Sequence, residues 1–441
     1  MNLESLKKAF RAAECIQLYA KVLAANDNSK NQVYLSGAVE ALHMFRPTGI
    51  VSSNSSKGPT FKGRIDFGWL QESGVVSPAP RAQIILYSQY PEVRLSGFLL
   101  GCSNAPNELM TARLPGRVLF LGVTRDGKVV AYVASPESSL AAEFAGSPKQ
   151  AADGVLFSLA FDGARDVVVS RKKLIAELRR INAKGWIASK QLDSTGAVRP
   201  CNAPQCGGFT LEAELGVPKN SRAEADYEGW EVKSYGVRNF ERPLSAGPIT
   251  LFTPEPTGGA YRDLGLDAFM QAFGYADRRG RSDRVNFGGT FFVGQIHPLT
   301  GLELKLNGFD PEAGKIVNAD GSIDLVSGRG VVAASWSFSS ILEHWNRKHR
   351  YAAYVPSRKQ QARVLSYAYG HIVHLAEHTN HERLLAAFAD RSVYYDPAIK
   401  IEHVSSGAPQ SKKRSQFRVR VAKLRALYES LSAVDVRGVV E

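Results

Sequence analysis

Apolar positions change their period several times along the 441-residue chain. The opening run MNLESLKKAFRAAECIQLYAKVLA reads as an amphipathic helix with acids among its bases. It lacks the uninterrupted apolar stretch of a signal peptide. From Val33 to Ala134 short β-rich runs, QIILYSQYP, RVLFLGVT and KVVAYVAS, alternate with Gly, Pro, Asn and Asp. Asp126-Gly127 between the last two predicts a hairpin. The pattern softens near SPKQAADG, and from Ser170 the run RKKLIAELRRIN puts Leu174, Ile175, Leu178 and Ile181 on one helical face. That helix marks the entrance to a second region. There GGFTLEAELGV predicts a short helix stopped at Gly216. Many short strands with Gly-rich turns follow, then a helical run SILEHWNRKH and a strand pair in VYYDPAIKIEHV. The length exceeds what one core usually serves. The expected architecture is an α+β N-terminal domain over 1–165, mostly strand, followed by a mixed α/β domain over 166–441. No run of about 20 apolar residues occurs, so no membrane span is expected.

Charge adds a partner class. The net charge is +13, and a strongly basic surface attracts polyanions, of which nucleic acid is the commonest. Residues 1–165 hold 17 Lys and Arg against 13 Asp and Glu, and 166–441 hold 38 against 29, so the later part carries more of the excess. In the tail, 403–425 contains seven Lys and Arg and no acid. Phe417 is interleaved with Arg418 and Arg420, and the interspersed Val and Leu argue for folded structure there, with Lys412, Lys413, Arg414 and Arg418 as candidate phosphate contacts. Asn346, Arg347, Lys348 and His349 form a second candidate set, on the basic side of the SILEHWNRKH helix. Four cysteines, Cys15, Cys102, Cys201 and Cys206, are too few and scattered for a disulfide framework, and Cys201 and Cys206 have no second pair to complete a zinc site. A reducing cytoplasm is the expected compartment.

Candidate chemistry sits in 225-ADYEGWEVKSYG-236. Alternation along WEVKS puts Glu231 and Lys233 on one strand face and Trp230 and Val232 on the other. A turn at Gly229 would bring Asp226 beside Glu231. Two adjacent carboxylates are best tolerated around a hard cation such as Mg²⁺, with a lysine to orient water. The triplet is not unique, since Asp126-Gly-Lys128 and Glu303-Leu-Lys305 share it. The former belongs to the predicted hairpin turn, and the latter to LELKL, a half-buried strand with a charged outer face. Glu214 and Glu228 read as solvated carboxylates. A competing motif, His374-Leu-Ala-Glu377-His378, matches the inverted zinc-protease signature, but YAYGHIVHLAEHT suits a strand better than the helix such a site needs.

An ordered series of segments carries a family resemblance: GWIASKQL (185–192), GGFTLEAELGV (207–217), ADYEGWEVKSYG (225–236), ITLFTPEPTGG (249–259), HWNRKHRYAAYVPS (344–357) and VYYDPAIKIE (393–402). Over roughly 171–430 the chain resembles the MvaI/BcnI type II restriction endonucleases, relatives of the MutH nicking nuclease. The resemblance implies a restriction-endonuclease-like PD-(D/E)xK core that binds double-stranded DNA and cleaves it with Mg²⁺. It implies Asp226 and Glu231 as metal-binding acids, Lys233 as the water-orienting lysine and Glu212, from the L-E-x-x-L-G context, as an additional acid. Ala225 departs from the proline often found before the first aspartate. The resemblance also implies 5′-phosphate and 3′-hydroxyl products, leaves a cognate DNA methyltransferase as a candidate partner, and suggests a monomer that nicks each strand in turn, with the assembly of this longer chain open. The N-terminal domain is a candidate DNA- or effector-binding module. A non-catalytic DNA-binding protein with a vestigial triad is the second reading.

Overall fold

The computed structural model describes residues 1–25, 31–36, 40–55, 58–90, 92–148, 150–153, 155–159, 161, 167–218, 226–406 and 408–438. The chain divides into two compact units, Met1–Val167 and Val168–Glu441.

The first unit is mostly β. Its seven-stranded sheet is centred on the antiparallel trio Cys15–Leu23, Arg117–Thr124 and Val129–Ala134, and a second, five-stranded sheet includes Gln83–Tyr87. Arg117–Thr124 is buried along its whole length, which explains why RVLFLGVT is apolar without alternation. The expected hairpin forms at Asp126 and Gly127, with Gly127 at φ +93°. Two expectations are corrected. The opening helix covers Leu3–Ala12 alone, packing Leu6 and Phe10 on the sheet, because Glu14 at φ +61° breaks it and the following run continues as a strand. The segment near SPKQAADG does not end the unit, since Gln150–Asp153 and Leu156–Ser158 form the edge of the large sheet.

The second unit is mixed α/β. Helix α1 (Val167–Ala183) buries the predicted Leu174, Ile175, Leu178 and Ile181 stripe. A short strand β1 (Ile187–Ala188) follows, then helix α2 (Cys206–Glu214), which ends where Gly216 takes φ +75°. The central six-stranded sheet contains β1, β2 (Glu231–Gly236), β4 (Tyr351–Gln361), β5 (Leu365–Tyr369), β6 (Ile372–Glu377) and β8 (Ser430–Asp435). Outside it, β3 (Pro248–Phe252) pairs antiparallel with β7 (Phe417–Arg420), and helix α3 (Phe338–Lys348) leads into β4.

Strand β2 lies at the sheet edge and pairs in parallel with β4, Glu231 level with Ala352 and Lys233 with Tyr354. On one face Trp230, Val232, Ala353 and Val355 join the core under α1 and α2. The alternation that buries these residues turns Glu231, Lys233 and Tyr354 to the opposite face.

Two local readings also change. Val393–Tyr395 and Ala398–Glu402 are strands but do not pair with each other: the first pairs with β7 and the second with Arg284–Gly288 and Gln410–Lys412. Cys201 and Cys206 form a disulfide with Cα atoms 5.7 Å apart, closing the turn ahead of α2. Cys15 and Cys102 are free and buried. LELKL behaves as expected, with Leu302 and Leu304 buried and Glu303 paired outward with Lys305 at 3.6 Å. No helix among the described residues is long and apolar enough to cross a membrane.

Candidate active site

A tight turn brings the two carboxylates together. Tyr227 and Trp230 exchange backbone hydrogen bonds of 3.0 and 2.8 Å around Glu228 and Gly229, at φ +48° and +87°. Two consecutive left-handed residues make the turn of a tight hairpin, and glycine at the second avoids the Cβ clash. The chain reverses so sharply that the Asp226 carboxylate returns to the strand, where Oδ2 accepts from the Val232 amide at 2.9 Å. Ala225 lies outside the described residues.

Lys233 donates from Nζ to Glu231 Oε1 at 2.9 Å, the two side chains being 15% and 6% exposed. Burial alone would lower the pKa of this ammonium. The Glu231 charge and hydrogen bond outweigh it, with smaller help from Tyr354 and Asp226, and hold it above its ordinary value, so Lys233 stays charged. Behind the pair the structure is closed. The Tyr354 and Tyr428 hydroxyls meet at 2.8 Å, and burial pushes Tyr354 up to about 12.

His349 belongs to this closed layer. It is fully buried, stacks on Trp345 at 4.0 Å and faces the Leu251 carbonyl with Nε2 at 3.2 Å. Burial, followed by the Lys233 charge, pushes its pKa down to about 3, so it is a neutral core residue. The expectation that it contacts DNA is corrected: its ring is apolar packing for α3, and the basic letters beside it concealed that. The side chains of Asn346, Arg347 and Lys348 lie outside the described residues.

In front, Asp226, Glu231, Lys233 and Glu212 line one open pocket of about 550 Å³. Tyr235, Thr250 and Arg418 line it too, the last two from β3 and β7. Arg418 is held by Asp396 at 2.6 Å and by the Pro248 carbonyl at 2.8 Å. Lys412, Lys413 and Arg414 are exposed and are not among the pocket's lining residues. The structure therefore gathers the acids, the lysine and one of the tail arginines. Thr250 and Tyr235 escaped the sequence reading, although both lie in quoted segments.

Helix α2 separates its two glutamates. Glu212 looks into the pocket, whereas Glu214, two positions on and so about 200° around the helix, is buried. Glu214 accepts from Lys184 at 2.7 Å and pairs with Lys190 at 2.6 Å and Arg180 at 3.4 Å. This corrects its reading as a solvated carboxylate: three cations from outside α2 compensate its desolvation. Glu228 is half-exposed and 3.8 Å from Lys173. Burial pushes the Glu214 pKa up, but hydrogen bonds and charge from Lys184 and Lys190 outweigh it and hold the group below its ordinary 4.5. Its stabilisation is thus present above pH 4.5 and lost as pH falls through the lower folded-state value. Glu214→Gln is expected to cost about 3 kcal/mol near neutral pH in urea unfolding, with the deficit shrinking on acidification below that point.

Among the described residues, no group of three or more His, Cys, Asp or Glu side chains is gathered to hold a metal ion. The His374, Glu377, His378 motif lies on and just after strand β6. His374 is buried in the sheet, Glu377 is 3.7 Å from Arg171 and the His378 ring packs edge-on against Tyr351 at 5.7 Å. Four residues of extended chain span roughly 13 Å, so the two histidines do not share the single helical turn a zinc-protease site uses.

Two solved structures of MvaI resemble the chain at 16% identity. The complex with cognate DNA substrate has a TM-score of 0.44, covering 59% of this chain and 97% of that one. The form without DNA has a TM-score of 0.33, covering 60% and 97%. No curated relative matches the chain's sequence. The model of the MvaI/BcnI restriction endonuclease family matches residues 175–428, which contain the turn, strand β2, both walls of the pocket and Arg418. Over more than half its length, then, this chain belongs to the MvaI/BcnI restriction endonuclease family and is a type II restriction-like nuclease.

Proposed function

We propose that the protein is a Mg²⁺-dependent endonuclease that hydrolyses phosphodiester bonds of double-stranded DNA at a specific sequence, leaving 5′-phosphate and 3′-hydroxyl ends. The observation that carries this reading is the meeting of Asp226, Glu231, Lys233 and Glu212 on one open pocket inside the family-matched segment.

The donor set fits magnesium. This ion takes oxygen ligands, keeps several waters and needs only one or two protein carboxylates. Asp226 and Glu231 would hold it, with Glu212 adding negative charge at the same pocket. A soft-metal site would need thiolate or imidazole donors, and the pocket lining contains neither. Bound there, the ion would supply Lewis acidity toward the phosphate oxygens.

The protein's own groups do the positioning. The Val232 amide fixes Asp226, and Lys233 locks one oxygen of Glu231, so neither carboxylate needs to reorganise. The Lys233 ammonium, kept charged by Glu231, orients an attacking water and offsets charge developing on the phosphate. The water attacks phosphorus in line, the bond to the 3′ oxygen breaks, that oxygen takes up a proton and the phosphate remains on the 5′ end. Arg418 holds a phosphate at the pocket rim, with Lys412, Lys413, Arg414 and the Asn346, Arg347 and Lys348 turn as outer contacts. A nuclease of this kind calls for a cognate DNA methyltransferase acting on the same sites.

The test is Asp226→Ala. Loss of Mg²⁺-dependent cleavage with DNA binding retained is the expected result. Cleavage equal to that of the unmodified protein would contradict the assignment, and an unmodified protein that binds but never cuts would favour the vestigial-site reading.

A further inference from the structure

Beyond the pocket, the sheet face that carries Glu231 and Lys233 continues to a second cluster. Along β4, Tyr354, Pro356 and Arg358 alternate onto this face, and Tyr354 lies level with Lys233. Arg358 pairs across the sheet with Ala368 of β5. Ile187 pairs with Tyr367, so Trp186, one residue earlier, lies level with Ala368 on the same face as Arg358. Phe240 arrives from the other side, four residues beyond the end of β2, and covers Gly370. A Cβ on that glycine would meet the Phe240 ring at 2.6 Å. The missing side chain at Gly370 lets the Phe240 ring pack onto this face.

The Arg358 guanidinium lies 6.0 Å from the Trp186 centroid and 5.9 Å from that of Phe240. The arginine remains exposed, and among the described residues no carboxylate pairs with it. Lys359 and Arg363, also exposed, share its hairpin, while Trp186 is 46% exposed. A stack that orients a cation without neutralising it suits a polyanion, because an ion pair would have spent the charge inside the protein.

We propose that the β4–β5 hairpin is a backbone clamp for duplex DNA, in which Arg358, oriented by Trp186 and Phe240, holds phosphates away from the reacting bond with Lys359 and Arg363 beside it. The four residues from Tyr354 to Arg358 span roughly 13 Å. That reaches about four nucleotides along one strand. This inference rests on the DNA-cleaving reading above.

The test is titration of a mixed-sequence duplex of about 30 base pairs by fluorescence anisotropy, using the full chain in EDTA over a KCl series. Arg358→Ala should bind roughly ten-fold more weakly and lower the salt slope by about 0.9, the signature of one lost phosphate contact. Trp186→Ala, which keeps the charge but frees it, should weaken binding a few-fold with the slope unchanged. A purely structural role for Arg358 would move the thermal midpoint and leave the slope unmoved. Affinity and slope equal to those of the unmodified protein would overturn the clamp and leave the nuclease reading intact. No duplex binding by the unmodified chain would overturn both.

Discussion

Replacing Lys233 with methionine is expected to slow DNA cleavage about a thousand-fold or more while leaving DNA affinity within a few-fold. Methionine keeps much of the stem and removes the ammonium. On the proposed mechanism the attacking water then loses its donor, and the phosphate loses a neighbouring positive charge. The same change leaves the 6%-exposed Glu231 without its 2.9 Å partner, so some loss of stability is expected as well. Cleavage should therefore be measured well below the variant's thermal midpoint, by single-turnover assay on a short duplex. Lys233→Arg provides the check: the charge is kept, but a planar fork cannot reproduce the point donor, so stability should recover while most of the rate stays lost. Cleavage by Lys233→Met at more than a tenth of the normal rate would remove this lysine from the mechanism.

The second large effect concerns folding. Trp230→Ala should destabilise the second unit by about 3–5 kcal/mol in denaturant unfolding. Its ring is wholly buried on the core side of β2, 5.3 Å from Tyr351, and its Nε1 donates to Ser170 Oγ of α1 at 3.2 Å. Trp230 also closes the backbone turn that returns Asp226 to Val232. Cleavage should consequently fall faster with temperature in this variant than in the unmodified protein, although no functional side chain has changed. A loss below about 1 kcal/mol would mean that the strand does not depend on this anchor.

These two predictions mark what the sequence made legible. The alternation in WEVKS, with Gly229 two residues before Glu231, is a local pattern with a local consequence, and the structure realises it as a tight turn and an edge strand. The stop of α2 at Gly216 and the buried leucines of LELKL are of the same kind. What escaped depends on partners distant in the chain. Glu214 looked like any helix acid because its cations, Arg180, Lys184 and Lys190, come from other elements. His349 looked like part of a basic face because Leu251, which its ring meets, is 98 positions away. Val393–Tyr395 and Ala398–Glu402 looked like one hairpin, yet each finds a separate sheet. Local geometry was readable from spacing, whereas pairing across long separations required the fold.

Magnesium-dependent cutting of duplex DNA at one sequence is the proposal on which the rest depends. It is tested most directly by incubating the full chain with a long unmethylated duplex and Mg²⁺, then sequencing the ends. Discrete fragments whose ends share one short sequence and carry 5′-phosphates are expected, with EDTA abolishing the reaction. Intact DNA, or ends scattered without a common sequence, would contradict it.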